Sequence, residues 1–182
     1  APFNWSGSEI ELSHNMQETI ERMGGAGFSD KELASLEAYL FYGLVQPPNP
    51  HLVDSGLTAA QQRGRDIFYS SKAACGTCHS GSNYTDGKNY NVGTMAEVEK
   101  SANEILAEFK ELDEISDGVL TLIDGRYNTP TLRDLHSTAP YLHSGSAKTL
   151  MEVLEQTETT MGRTDHLDIK QKEDLVQFLL TL

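Results

Sequence analysis

The chain has 182 residues, 27 acidic against 14 basic side chains, a net charge of -13 and a hydrophobic content of 38%. This size suits one large domain or two small ones. The acidic balance argues against nucleic acid or an anionic membrane surface as partner, and leaves a solvated surface or the steering of a basic or neutral partner; no apolar run approaches the roughly 20 residues of a membrane span.

From the N-terminus, Ala1 to Gly7 is turn-rich. Ile10, Leu12, Met16, Ile20 and Met23 follow at near-helical spacing, and Gly24-Gly25-Ala26-Gly27 breaks that pattern. Ser29 with Glu32 three residues on reads as a capping box for a second helix through Leu33, Leu36, Tyr39 and Leu40. Gln46-Pro47-Pro48-Asn49-Pro50 is a stiff linker, which divides the chain into a helical segment 1–45, a Pro-rich linker 46–56 and a domain 57–182. His51, just past the prolines, reads as an exposed loop histidine.

Thr58 is placed to cap a helix through Ala60, Gly64, Ile67 and Phe68. That helix leads into Cys75-Gly76-Thr77-Cys78-His79, a C-x-x-C-H sequence of the kind that attaches a c-type haem. The cysteines are suited to thioethers on the haem vinyl groups and the histidine to the proximal iron position. Cys75 and Cys78 are the only cysteines of the chain. A zinc site would need two more ligands, and no second Cys pair exists. A thioredoxin-like pair would need a βαβ context where the flanks look helical. The expectation is one covalent haem c per chain. Such attachment happens outside the cytoplasm, so a bacterial periplasmic or other extracytoplasmic location follows. The lack of a signal peptide then reads as a mature chain or an excised domain.

Ser80 to Gly93 reads as a polar loop around the haem edge, and Met95 to Ile115 as an inserted, amphipathic, acidic surface helix with Met95 as a buried anchor rather than an iron ligand. Thr129-Pro130-Thr131-Leu132-Arg133-Asp134 runs toward Ala139-Pro140-Tyr141-Leu142-His143-Ser144-Gly145. A short helix through Leu150, Val153 and Leu154, a polar loop with Met161-Gly162 and a final helix over 168–182 complete the chain.

The order C-x-x-C-H, T-P-T-L-R, A-P-Y-x-H-x-G, M-G and a terminal D-L-V-x-F-L helix resembles the C-terminal haem domain of the bacterial dihaem cytochrome c peroxidase superfamily, which includes MauG-type proteins. The match covers about residues 57 to 182. It implies an all-α fold: a class I-like cytochrome c domain with covalent haem, here preceded by a helical half-domain. It further implies that this haem is the electron-entry haem with His/Met ligation, peroxide being reduced at the other, N-terminal haem. Carried over, Cys75 and Cys78 match the attachment cysteines, His79 the proximal ligand and Met161 the distal methionine. A thioether is a soft ligand that favours ferrous iron and raises the potential. Pro130 and Arg133 match the P-x-L-R stretch, whose guanidinium is suited to a haem propionate. His143 and His166 are rival distal ligands. Tyr141 and Tyr127 keep a share too, because MauG-type proteins place a tyrosine opposite this iron.

An internal repeat accompanies the resemblance. Ala1-Pro2-Phe3-Asn4-Trp5-Ser6-Gly7 parallels residues 139–145, and 16 positions separate Gly7 from Met23 and Gly145 from Met161. Each methionine precedes a glycine and a helix ending in an aromatic-leucine pair. Residues 1–45 therefore read as the back half of a first cytochrome domain. Their apolar residues, at roughly 1.5–3 kcal/mol for each large side chain buried, should pack on the 57–182 domain or on another chain. Trp5 should lie near the haem edge and Met23 should have no iron to bind. Trp5-Ser6-Gly7 also resembles the W-D-G of peroxidases, with Ser6 in place of the acid.

The leading function is electron transfer through one haem held by Cys75, Cys78, His79 and Met161, with a redox partner protein or a neighbouring haem domain as partner and a homo-oligomer possible. The rivals are a peroxidase with an open haem site and a module in which haem mainly holds the fold.

Overall fold

The structure is a computed structural model that describes residues 2–95, 100, 101, 104 and 124–182. The expected acidic helix over 95–115 lies almost wholly outside these residues. Five α-helices are described: α1 Leu12–Arg22, α2 Asp30–Ala38, α3 Ala59–Phe68, α4 Leu150–Gln156 and α5 Ile169–Leu179. α2 runs on into a π-turn at Tyr39–Gly43, and the C-x-x-C-H stretch opens with a 3-10 turn at Cys75–Thr77.

The helix starts follow from local chemistry. Thr58 Oγ1 accepts from the Gln61 N–H while Gln61 Oε1 accepts from the Thr58 N–H at 2.8 Å, so two otherwise orphaned donors are satisfied reciprocally. Asp168 and Gln171 do the same at α5. At α2 the Ser29 N–H donates to Glu32 Oε2 at 2.8 Å.

α3 and α5 pack face to face and carry the core. Phe68, Leu132, Leu150, Leu154, Leu175, Phe178 and Leu179 form one buried cluster, with Phe68 and Phe178 edge to face at 5.4 Å. Gly64 allows the close approach: a Cβ there would meet the Asp174 carbonyl oxygen at 1.9 Å. Arg63 clamps the same helix, donating to Asp174 Oδ2 at 2.6 Å and Oδ1 at 3.0 Å, with Lys170 Nζ a further 3.0 Å donor.

The all-α expectation needs one correction. Asn89–Asn91 (β1) and Arg126–Asn128 (β2) form a two-stranded antiparallel sheet in which Tyr90 faces Tyr127, so the polar stretch after the haem motif is partly strand. A central tyrosine in each strand is a strand former, and the pair can stack on one face of the ribbon.

The two repeats have the same backbone course. Phe3 bridges to Glu9 as Tyr141 bridges to Ala147. The bridging bonds are Phe3 N to Glu9 O at 2.6 Å and Tyr141 N to Ala147 O at 2.7 Å. Asn4 and Leu142 both adopt positive φ, 64° and 66°, as do Gly7 and Gly145 at 63° and 68°. α1 and α4 begin the same distance beyond these turns.

Their surroundings differ. Neither α1 nor α2 has a buried residue. Leu12, Met16, Ile20, Leu33, Leu36 and Leu40 are half-buried, and Ile10, Tyr39, Phe41, Tyr42 and Val45 are exposed. Full packing of this segment on the 57–182 domain is thus not what the structure shows. Residues 2–7 do dock there: Asn128 N donates to Trp5 O at 2.8 Å, and Asn89 Nδ2 to Ser6 O at 2.6 Å. The linker is tied down by Gln46 to Asp134 and by Asn49 Nδ2 to Leu180 O at 2.9 Å. His51 is half-buried rather than exposed, its ring edge-on to His136 at 5.9 Å.

Candidate functional site

A cavity of about 470 Å³ opens between the C-x-x-C-H turn, the α4–α5 unit and the two-stranded sheet. Its wall brings together Cys75, Cys78, His79, Pro130, Arg133, Tyr141, Met161 and Trp5, all eight residues that the sequence singled out as cofactor-binding. The remaining wall is largely apolar, with Phe68, Leu132, Leu150, Leu154 and Leu175 among its members.

The C-x-x-C-H turn is held from two sides. Ala74, in the left-handed region at φ 59°, redirects the chain from α3 into the 3-10 turn. Arg163 N donates to Ala73 O at 3.0 Å, which lays the Met161-Gly162 loop alongside: a Cβ on Gly162 would sit 3.6 Å from Cys75 Sγ. Thr164 Oγ1 to Leu154 O at 3.2 Å, a buried bond, fixes the other end of that loop to α4. Met161, distant in sequence from His79, is thereby delivered to the same cavity.

His79 Nδ1 meets the Tyr84 carbonyl at 3.1 Å. A carbonyl only accepts, so Nδ1 carries the proton and Nε2 is left as the ring's acceptor nitrogen, the form an iron needs. Burial pushes the imidazole below its ordinary pKa, against the Tyr84 and Pro130 carbonyls and the Asp86 charge, which act the other way. Burial pushes the Cys75 thiol up to about 11, the reverse of the depressed thiol of a dithiol redox pair.

The rivals for the iron are placed as follows. The Tyr141 hydroxyl donates to Leu135 O at 3.0 Å, an occupied position. His143 lies on the cavity wall, stacked on Tyr127 at 3.8 Å and met edge-on by Trp5 at 6.3 Å. His166 is exposed beside Asp165 and is not on the wall. Met95 is also off the wall, its methyl lying over Gly125. Arg133 donates to Ser82 O at 2.9 and 3.1 Å and borders the cavity.

The wall fits a haem on one observation besides the donor set: it is largely apolar. Asn128 Oδ1, on that wall and buried, has no hydrogen-bond partner among the described residues. Sequence reasoning missed Tyr90, Asn128 and Asp86. The matching triplets Asn-Tyr-Asn and Arg-Tyr-Asn, each with a strand-forming tyrosine at its centre, were the available signal.

No family model matches the chain. Curated relatives do. The gamma subunit of hydrazine synthase from Kuenenia stuttgartiensis is 30% identical, over 71% of this chain and 42% of that protein. A cytochrome-c peroxidase of Denitromonas iodatirespirans is 28% identical, over 70% and 41%. The methylamine utilization protein MauG of Methylorubrum extorquens is 28% identical, over 71% and 36%. In sequence this chain resembles the dihaem cytochrome c peroxidase/MauG superfamily. Hydrazine synthase of K. stuttgartiensis, solved under xenon pressure, superposes with a TM-score of 0.64 at 28% identity, over 86% of this chain and 56% of that one. A MauG-like protein associated with microbial copper homeostasis gives a TM-score of 0.65 at 20% identity over 98% and 68%, a likeness of fold. The chain spans about two-fifths of the length of the curated superfamily relatives named here. Among the described residues no helix is long and apolar enough to cross a membrane.

Proposed function

We propose that the chain is a c-type cytochrome unit that carries electrons through a single haem, joined by thioethers to Cys75 and Cys78 and ligated by His79 and Met161. One observation carries the reading: Met161, far from the C-x-x-C-H stretch in sequence, shares the wall of one largely apolar cavity with Cys75, Cys78 and His79. The haem supplies a one-electron iron couple when bound. The chain's own residues do the rest. His79 is oriented by the Tyr84 carbonyl. Met161 offers a thioether that favours the ferrous state. Phe68, Leu150, Leu154 and Leu175 exclude water. Arg133, on the cavity wall, would offer its guanidinium to a propionate group.

Residues 1–45 are, in this reading, the back half of a first cytochrome domain, 46–56 the linker and 57–182 the haem domain. The shared backbone course of the two repeats supports this. Trp5, which borders the cavity and is about half exposed at 47%, is the side chain through which electrons pass to a redox partner protein or a neighbouring haem domain. The protein works outside the cytoplasm, where haem c is attached.

Absorption spectra of oxidised and reduced protein, together with haem staining after denaturing electrophoresis, test this directly. The expected result is a low-spin, six-coordinate haem that survives denaturation and is lost in the Cys75→Ala, Cys78→Ala variant. A five-coordinate haem that reacts with hydrogen peroxide would favour a peroxidase. One zinc per chain without haem absorbance would end the proposal.

A further inference from the structure

The segment 84–90, which begins at Tyr84, whose carbonyl meets His79 Nδ1 at 3.1 Å, folds into a small hydrogen-bonded knot. Asp86 Oδ2 accepts from the Tyr90 hydroxyl at 2.7 Å and Asp86 Oδ1 from the Lys88 N–H at 3.0 Å. The knot is anchored just past the end of β2: Thr85 Oγ1 donates to Thr129 O at 2.6 Å, and Thr129 N donates to Lys88 O at 2.9 Å. Tyr90 belongs to β1 and lines the cavity wall. Its phenol is held in the protonated form chiefly by Asp86, with burial and Cys78 acting in the same direction. Asp86 is half-buried. Burial works against its charge, but the hydrogen bonds from Tyr90, Lys88 and Thr129 outweigh it and leave the carboxyl below its ordinary pKa. This is a carboxylate fixed in the ionised form, and its charge acts on the His79 imidazole.

We propose that Asp86 is a fixed negative charge that lowers the reduction potential of the haem from the His79 side, and that Tyr90 is the residue that positions it. The proposal rests on the haem reading given above. The physics is Coulombic. Oxidising the iron adds one positive charge to the iron–imidazole unit, and a carboxylate within reach of that unit stabilises the oxidised form more than the reduced one. The effect opposes that of Met161, which favours the ferrous form. The two together place the potential between the extremes that either would set alone. Lys88, on the same knot and exposed, offsets part of the charge. The two-stranded sheet thereby has a function: it holds Tyr90, and through Tyr90 the carboxylate, at a fixed place relative to the cavity.

The test is a potentiometric titration of the haem-loaded full chain at pH 7, for the parent, Asp86→Asn, Asp86→Glu and Tyr90→Phe. Asp86→Asn should raise the potential, so that at the parent's midpoint the ratio of reduced to oxidised iron rises about tenfold. Asp86→Glu should restore most of the parent value. Tyr90→Phe keeps the charge but frees the carboxylate to turn toward water and Lys88, so it should shift the potential in the same direction by less. A purely structural role would leave the potential in place while lowering the melting temperature. An unchanged potential in Asp86→Asn, with the haem spectrum of the parent, overturns the proposal. Should Asp86→Asn fail to load haem, Tyr90→Phe decides, and a potential equal to the parent's there overturns it equally. A parent without covalent haem would instead sink the reading of the site itself, and absorbance distinguishes that outcome at once.

Discussion

Gly64 of α3 presses directly on the backbone of Asp174 in α5, close enough that a Cβ would stand 1.9 Å from the Asp174 carbonyl oxygen and 2.8 Å from Phe178 Cβ. The neighbours are backbone and the root of a buried side chain, so neither can turn aside. Gly64→Ala should therefore push the two helices apart and disturb the Phe68–Phe178 contact on which the cavity's rear wall rests. The expected loss is about 3 kcal/mol or more, at the upper end of overpacking costs. A urea titration of the haem-loaded protein measures it. A midpoint equal to the parent's would mean that the helices are not in contact at this point.

Asp174 also makes the protein's stability sensitive to acid. The Arg63 guanidinium, opposed by burial and assisted by Lys170, brings its carboxyl down to about 2, against about 3.9 for a free aspartate. A carboxyl depressed in the folded state contributes stability that is complete above about pH 4 and is lost as the pH falls toward 2. The melting temperature of the parent should drop through that window. Asp174→Asn should melt lower at neutral pH and show a shallower acid slope. Parallel slopes for the two proteins would count against this pair as the source.

Local order was legible in the sequence and long-range order was not. The Thr58 cap, the capping pair Ser29–Glu32, the apolar spacing of Phe68, Leu175, Phe178 and Leu179, and the haem motif depend on near neighbours, and each is where spacing places it. The three-residue strands are too short to show a period, and their partners are separated by 92–125 in the chain. The roles of Tyr90, Asp86 and Asn128 were hidden with them. Exposure of the α1–α2 face was hidden for another reason. An amphipathic spacing reads the same whether or not the partner that would cover it is in the same chain.

Met161 is brought to the cavity by its loop rather than by a helix, and the loop is secured at Ala73, Glu158 and Leu154. Loss of the thioether in Met161→Ala should thus leave the surroundings in place. The variant should keep its covalent haem, lose the sixth ligand, show a lower potential and bind cyanide or peroxide. Absorption spectroscopy with and without cyanide reads this. A spectrum and potential equal to the parent's would move the distal role to His143, which stands on the same wall.

The N-terminal unit leaves one apolar face uncovered. Tyr42 is 87% exposed, Val45 90% and Met23 80%, and with Tyr39, Phe41 and Ile10 they give residues 10–45 far more bare apolar surface than the matching α4–α5 unit, which covers its own with α3. At Met23 the repeat places the counterpart of Met161, yet Met23 points to solvent where Met161 meets a cavity. Apolar surface of this kind is covered in a working protein, by a haem-bearing segment of a longer chain or by another copy. The isolated 182-residue chain should self-associate as its concentration rises, and Phe41→Lys with Tyr42→Lys should suppress that association while leaving the haem spectrum unchanged, because neither residue borders the cavity. Sedimentation velocity over a range of concentrations checks both statements. A chain that stays monomeric throughout, with residues 10–45 protected from hydrogen exchange, would show that the α1–α2 pair is stable with its apolar face in water.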